Sequence, residues 1–115
     1  MARDVVAKLS YCSVSAQKVR LVLDMVRGRP TVEALALLQF TPKLAARHVH
    51  KLLASAVANA EENFGLSRND LYVYQITADE APTRKWRRFG ARGRFKPILR
   101  RASHINIVLR EREGN

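Results

Sequence analysis

Residues 81–110 of this 115-residue chain hold ten basic side chains and no acidic one, and that segment limits the possible folds more than any other feature. Residues 1–80 hold ten basic and eight acidic side chains, a balance of +2, and the last five contribute −1, so about a quarter of the chain carries nearly all of the net +11. Charge gathered in this way marks a binding surface for a polyanion rather than a solubility device. Only seven of the 22 residues from Glu80 to Arg101 are apolar (Ala81, Trp86, Phe89, Ala91, Phe95, Ile98 and Leu99), too few for a second core. Pro82, Gly90, Gly93 and Pro97 interrupt the segment, and no helical stripe runs through it. Strand signals flank it at Leu71 to Ala78 and at Ala102 to Arg112. The two strands can continue outward as one long hairpin turning near Phe89 to Gly93. Eleven residues per arm at about 3.3 Å each reach roughly 35 Å, well clear of a body with a radius of gyration of about 13 Å.

The rest of the chain supplies that body. Val5 to Cys12 reads as a strand. Ser13 or Ser15 then offers a capping hydroxyl to a helix whose apolar face is Val19, Val22, Leu23 and Val26, with Gly28 closing it. Thr31 is placed to cap a second, short helix through about Phe40, with Glu33 in its first turn. Thr41-Pro42 repeats the signal, with proline at the first position of a third helix. Val49, Leu52, Leu53, Ala56, Val57, Ala60 and Phe64 form that helix's apolar stripe, Gly65 ends it, and its alanines imply close packing. The whole is one domain over 1–115, a body of about 1–78 and 102–115 and a basic hairpin of about 79–101. At 47% hydrophobic residues it can bury a core. No uncharged run exceeds nine residues, far short of the roughly 20 that span a bilayer. The start lacks the apolar region of a secretion signal. Cys12 is the only cysteine, so no intrachain disulfide forms, and a reducing compartment is expected.

The partner's chemistry follows from the arm. Arg84, Lys85, Arg87, Arg88, Arg92, Arg94, Lys96, Arg100 and Arg101 lie within 18 residues, and seven of the nine are arginines. The guanidinium fork pairs two phosphate oxygens and stacks on bases. Trp86, Phe89 and Phe95 sit between the charges and can stack on unpaired bases. Gly90 and Gly93 permit close backbone approach to a ligand. One long irregular finger suits the crevices of a folded RNA better than a DNA groove, and binding through so many cations depends steeply on salt. On the first helix, Lys18, Arg20, Arg27 and Arg29 are either a solvated face or a second RNA contact.

No pattern supports catalysis, a metal site or a cofactor. His48 and His50, two apart on a helix, do not share a face. Ser103 and His104 point to opposite faces of a strand, with no acid placed to orient the histidine. Cys12 reads as a small buried hydrophobe. Glu61-Glu62 and Asp79-Glu80 end elements without the paired environment of an acid/base site. Gly90-x-x-Gly93 lacks the Lys-Ser/Thr of a P-loop. Charge alone leaves two rivals: a free-standing RNA-binding regulator or chaperone, and a small RNA-processing enzyme.

Several separated motifs resemble one family. Ser15-Ala16-Gln17-Lys18-Val19-Arg20-Leu21-Val22 with Arg27-Gly28-Arg29 is similar to the opening helix of the bacterial large-subunit ribosomal protein family numbered twenty-two. Leu53-Ala54-Ser55-Ala56-Val57-Ala58-Asn59-Ala60-Glu61-Glu62-Asn63, Asp79-Glu80-Ala81-Pro82, Arg92-Gly93-Arg94 and Arg101-Ala102-Ser103-His104-Ile105 match it too. The likeness runs from about Ala7 to Leu109. It implies an α+β fold of three helices packed on a three-stranded antiparallel sheet, with a long protruding β-hairpin. It further implies a structural, non-enzymatic constituent of the large subunit, in the cytoplasm or an organelle. Such a protein binds 23S-type large-subunit ribosomal RNA, bridges its domains during assembly, and lines the nascent-polypeptide exit tunnel. By the same resemblance, Lys18 and Arg20 contact RNA from the body, and Arg84, Lys85, Arg87, Arg100 and Arg101 contact it along the shaft. Arg88, Phe89, Gly90, Ala91, Arg92, Gly93 and Arg94 form the tip, facing the tunnel, the nascent chain and a neighbouring ribosomal protein. Neither a membrane nor a second copy of the chain is an expected partner. The sequence departs from the family at Phe89-Gly90, where relatives carry proline and a basic residue. It departs also at Ala81-Pro82, where they carry Gly-Pro, and at Trp86 and Phe95, where they are less aromatic.

Overall fold

The computed structural model describes residues 4–82, 84–89, 95–100 and 102–112, with 84–89 and 95–100 described as backbone. In order they form β1 (Asp4–Cys12), α1 (Ala16–Val26), α2 (Thr31–Gln39), α3 (Leu44–Phe64), a 3-10 turn (Arg68–Asp70), β2 (Leu71–Glu80), β3 (Arg84–Phe89), β4 (Phe95–Arg100) and β5 (Ser103–Glu111). The last strand lies in the middle of an antiparallel sheet of order β1-β5-β2, and β3 pairs with β4. Three helices on a three-stranded antiparallel sheet is the α+β body expected from the sequence.

The core lies between the helices and one face of that sheet. Alternation along β5 buries Ser103, Ile105, Ile107 and Leu109 and leaves the residues between them half-exposed. Val5, Leu71, Val73 and Ile76 are buried beside them. Against this face α1 sets Val19, Val22, Leu23 and Val26, all fully buried at i, i+3, i+4 and i+7 as the periodicity requires. The longest helix, α3, buries Ala46, Val49, Leu52, Leu53, Ala56, Val57 and Ala60, and the small side chains let it pack closely on α1, α2 and β1. Phe64 departs from the expected stripe: at the last turn of α3 it is 41% exposed. Cys12 is buried and free, as a small hydrophobe.

Helix ends differ from expectation more than helix interiors. Ser15 stands at the N-cap of α1, yet its hydroxyl makes no capping hydrogen bond. Thr31 is the first residue of α2 rather than its cap, and its buried hydroxyl donates to the Arg68 carbonyl at 2.8 Å, tying α2 to the turn before β2. Thr41 donates to the Leu37 carbonyl at 2.6 Å, closing α2 instead of opening α3, which begins after Lys43 rather than at Pro42. Gly65 does end α3, in the left-handed conformation with φ 64°. Gly28, at φ 79°, follows α1 and sends its N–H to the Val73 carbonyl on β2 at 3.0 Å.

Two irregularities shape the sheet. Between Leu9 and Cys12 the β1–β5 register shifts, with Tyr11 at φ 56°. Between Val73 and Gln75 the β2–β5 register shifts by the insertion of Tyr74. Pairing of β2 with β5 then continues outward through Glu80 opposite Ser103, and Ala81 donates to the Ala102 carbonyl at 3.0 Å. Beyond them Arg84 faces Arg100 and the ladder runs to Phe89 facing Phe95. The register advances by one residue between these two sets of pairs, and Pro82, which has no N–H to donate, stands at the change. The turn expected near Phe89 to Gly93 lies outside the described residues beyond Phe89. The molecule measures 69 × 25 × 19 Å. Its radius of gyration is 17.3 Å, against about 13 Å for a compact chain of this length.

Candidate nucleic-acid interface

The hairpin is the first element of the interface. Its strands place Arg84 opposite Arg100, Lys85 opposite Leu99, Arg87 opposite Pro97 and Arg88 opposite Lys96. The register thus sets a basic residue opposite a basic residue at two of its six positions, Arg84 with Arg100 and Arg88 with Lys96. Gly90, Ala91, Arg92, Gly93, Arg94 and Arg101 lie outside the described residues.

Body cations divide into those held by protein groups and those that are not. Arg20 on α1 and Arg27 at its C-cap stand two turns apart and lean over the free edge of β2. The Arg20 Nε donates to the Ala78 carbonyl at 3.0 Å and an Arg27 Nη to the Ile76 carbonyl at 3.0 Å. With Gly28 bonded to Val73 and the Arg29 carbonyl accepting from Val73 N–H at 2.9 Å, the edge strand is covered along most of its length. Arg27 also pairs with Asp24 at 2.5 Å and Arg29 with Glu33 at 2.6 Å. The side chains of Arg20 and Arg27 therefore help close a sheet edge. Arg20 uses one of its five N–H donors in doing so, and the other four have no hydrogen-bond partner among the described residues. Lys18, two residues away and so on a different face of α1, is exposed and unpaired among the described residues. Arg20 thus retains donors near the root of the hairpin, since Ala78 lies three residues before Ala81.

At the far end of the sheet, the Arg110 Nε donates to Asp4 at 2.8 Å and its guanidinium lies 3.5 Å from the Tyr74 ring centroid. The hydrogen bond from Arg110 holds the Asp4 carboxyl below its ordinary 3.8. Arg68 does the same for Glu61, whose carboxyl lies below its ordinary 4.5, over a 2.7 Å ion pair. The remaining described cations, Lys8, Lys43, Arg47, Lys51 and Arg112, make no side-chain hydrogen bond or ion pair among the described residues. Three of these, Lys43, Arg47 and Lys51, gather at the start of α3, a cluster outside the contacts expected from the sequence. Its sequence signal is the absence of any acidic residue from Ala34 to Ala60.

The residues weighed for catalysis have structural tasks. Ser103 is fully buried and its hydroxyl donates to the Val14 carbonyl at 2.8 Å. His104, on the opposite face, accepts from the Tyr11 N–H at Nδ1. Among the described residues no three His, Cys, Asp or Glu side chains gather closely enough to hold a metal ion, and no helix is long and apolar enough to cross a membrane.

Comparison with known proteins agrees with this architecture. The family described as ribosomal protein L22p/L17e matches residues 7–110. Large ribosomal subunit protein uL22 of Finegoldia magna is 50% identical over 103 residues, covering 90% of this chain and 92% of the relative. The uL22 protein of Caldicellulosiruptor saccharolyticus is 48% identical over 107 residues, 93% of this chain and 88% of the relative. That of Thermoanaerobacter sp. is 50% identical over 103 residues, 90% and 93%. Identity near one half along nearly the full length, on an α+β body with a basic hairpin, places the chain in the ribosomal protein L22p/L17e family.

Proposed function

We propose that this chain is a structural, non-enzymatic constituent of the large ribosomal subunit in the cytoplasm. In this reading it binds 23S-type ribosomal RNA and bridges RNA segments during assembly. The observation that carries it is the antiparallel pairing of β3 with β4, two strands that hold six cations and no acidic residue. Such a ladder needs phosphates to offset its own repulsion, and a folded RNA supplies them on both sides of an inserted finger. Arg84, Lys85, Arg87, Arg100 and Arg101 contact RNA along the shaft. Lys18 and the spare donors of Arg20 continue that contact onto the body. The tip, Arg88 to Arg94, then lies at the wall of the nascent-chain tunnel, beside a neighbouring ribosomal protein. The relatives that support this reading are named as large-subunit proteins.

The test is a photoreactive residue in place of Ala91 in ribosomes stalled on a nascent chain, with the same probe at Lys8 on the body. Cross-links from position 91 to nascent polypeptide or tunnel RNA, and none to polypeptide from position 8, are expected. Cross-links from position 91 only to soluble factors would remove the tunnel from this account.

A further inference from the structure

The corner between α2 and α3 combines features that nothing in the fold uses. Phe40 is 82% exposed and Leu44 61% exposed, the two most exposed large apolar side chains among the described residues. A body that buries Leu23 and Leu53 completely has no folding reason to leave an aromatic ring in water. Beside them opens a cleft of about 750 Å3 lined by Leu38, Phe40, Pro42, Lys43, Arg47 and His50, among others. Lys43, Arg47 and Lys51 follow one another at four-residue spacing, so they share one face of the helix. No acidic residue occurs from Ala34 to Ala60, so no neighbour in the chain neutralises them. Elsewhere on the described body, arginines pair with Asp24, Glu33, Glu61 and Asp4.

We propose that the α2–α3 corner is a second RNA contact, separate from the hairpin, in which an unpaired base stacks on Phe40 and adjacent phosphates lie along Lys43, Arg47 and Lys51. It rests on the reading of the chain as a ribosomal RNA-binding protein and adds a site to it. Charge complementarity selects the occupant: three unpaired cations in a row fit a phosphate backbone, and a bare ring beside them fits a base, which presents a π-face whatever its identity. The cleft then takes the rest of the unstacked nucleotide. An apolar protein partner would leave the row of charges without partners, so RNA is the better match. Phe40 and Lys43 cap the facing ends of α2 and α3, and Arg47 and Lys51 lie on α3, so the site needs no hairpin to form.

The experiment is a salt titration of the full-length chain on large-subunit ribosomal RNA. The variants are Phe40→Ala, the triple Lys43→Gln/Arg47→Gln/Lys51→Gln, and the hairpin triple Arg84→Gln/Lys85→Gln/Arg87→Gln. All the changed corner residues are exposed, and a thermal transition matching the parent confirms folding. Phe40→Ala is expected to weaken binding by about 5- to 100-fold. The corner triple is expected to flatten the logarithmic salt dependence by about 0.7 to 0.9 per lost phosphate contact. Parent-like affinity and slope in both corner variants, with the hairpin triple weakened, overturns the second site and leaves the hairpin reading standing. Equal binding of the parent chain to unrelated RNA overturns both. A photoreactive group replacing Phe40 in reconstituted subunits separates the occupants: RNA adducts support the site, and adducts only with a ribosomal protein overturn it.

Discussion

The backbone N–H of Tyr11 donates to Nδ1 of His104 at 3.1 Å, and the two rings meet edge to face with centroids 4.7 Å apart. Tyr11 has φ 56°, a region that costs a non-glycine residue on the order of 1–2 kcal/mol. The bulge it occupies diverts an N–H from the β1–β5 ladder, and His104 supplies the acceptor that the ladder does not. The pair sits at the end of the sheet from which the hairpin leaves, because His104 follows Ser103, the last β5 residue paired with β2. His104 is thus read best as a packing residue at the hairpin root.

His104→Ala is expected to destabilise the body by about 1–2 kcal/mol, the range for a lost hydrogen bond plus part of a ring contact. Hydrogen exchange at the Tyr11 amide should accelerate with it. Chemical denaturation and exchange measured on the same variant check this, and an unchanged midpoint with an unprotected Tyr11 amide in the parent would remove the bond from the account.

The edge of β2 gives a second expectation. Arg27→Ala removes the donor to the Ile76 carbonyl and the ion pair to Asp24, and should cost about 1 kcal/mol. Gly28→Ala should cost a similar amount through backbone strain alone, since a Cβ there meets nothing within 4 Å. The two are near neighbours on one edge, so the double variant need not be additive. Arg27→Ala also uncovers part of the β2 edge, and light scattering at rising concentration should show more self-association in it than in the parent.

Acid should weaken the fold through its ion pairs. The Asp4 carboxyl is held below 3.8 by Arg110 and that of Glu61 below 4.5 by Arg68. A depressed folded-state value means that the unfolded chain takes up protons first. The contribution is therefore complete above about pH 4.5 and is lost as pH falls through 3.8 and below. Both pairs are exposed, so the effect is small and shrinks with salt. Thermal transitions between pH 2 and 6 should fall less steeply in Asp4→Asn/Glu61→Gln than in the parent; parallel curves would contradict this assignment.

Core and hairpin should be separable. Leu53→Ala opens a cavity at a fully buried position and should cost about 2–5 kcal/mol. The buried cluster of the described residues lies outside 84–96, so a chain without 84–96 should keep a cooperative thermal transition while losing most of its affinity for ribosomal RNA. Loss of cooperativity in that deletion would show that the hairpin belongs to the core.

Periodicity made the interior legible. Val19, Val22, Leu23 and Val26 declare one face of α1, Val49 to Ala60 one face of α3, and Ile105, Ile107 and Leu109 one face of β5, because burial follows from spacing alone. Helix ends were less legible. The Thr31 hydroxyl reaches Arg68 and Leu71, partners about 40 residues away that only the tertiary fold brings near. Phe64 obeys the α3 period yet overhangs the end of the helix. For the interface, the basic run announced the hairpin. The commitment of Arg20 and Arg27 to β2 carbonyls depends on β2 being an edge strand, which no local pattern states. The α2–α3 corner was readable in principle, as a stretch of 27 residues without an acid, but the larger charge of the hairpin overshadowed it.

The central claim is that the chain is a built-in part of the large subunit. It is tested most directly by quantitative mass spectrometry of salt-washed large subunits from the host. One copy per subunit, retained at salt that strips loosely held factors, is the predicted result. A substoichiometric or salt-labile association would contradict it and make the chain a free RNA-binding factor.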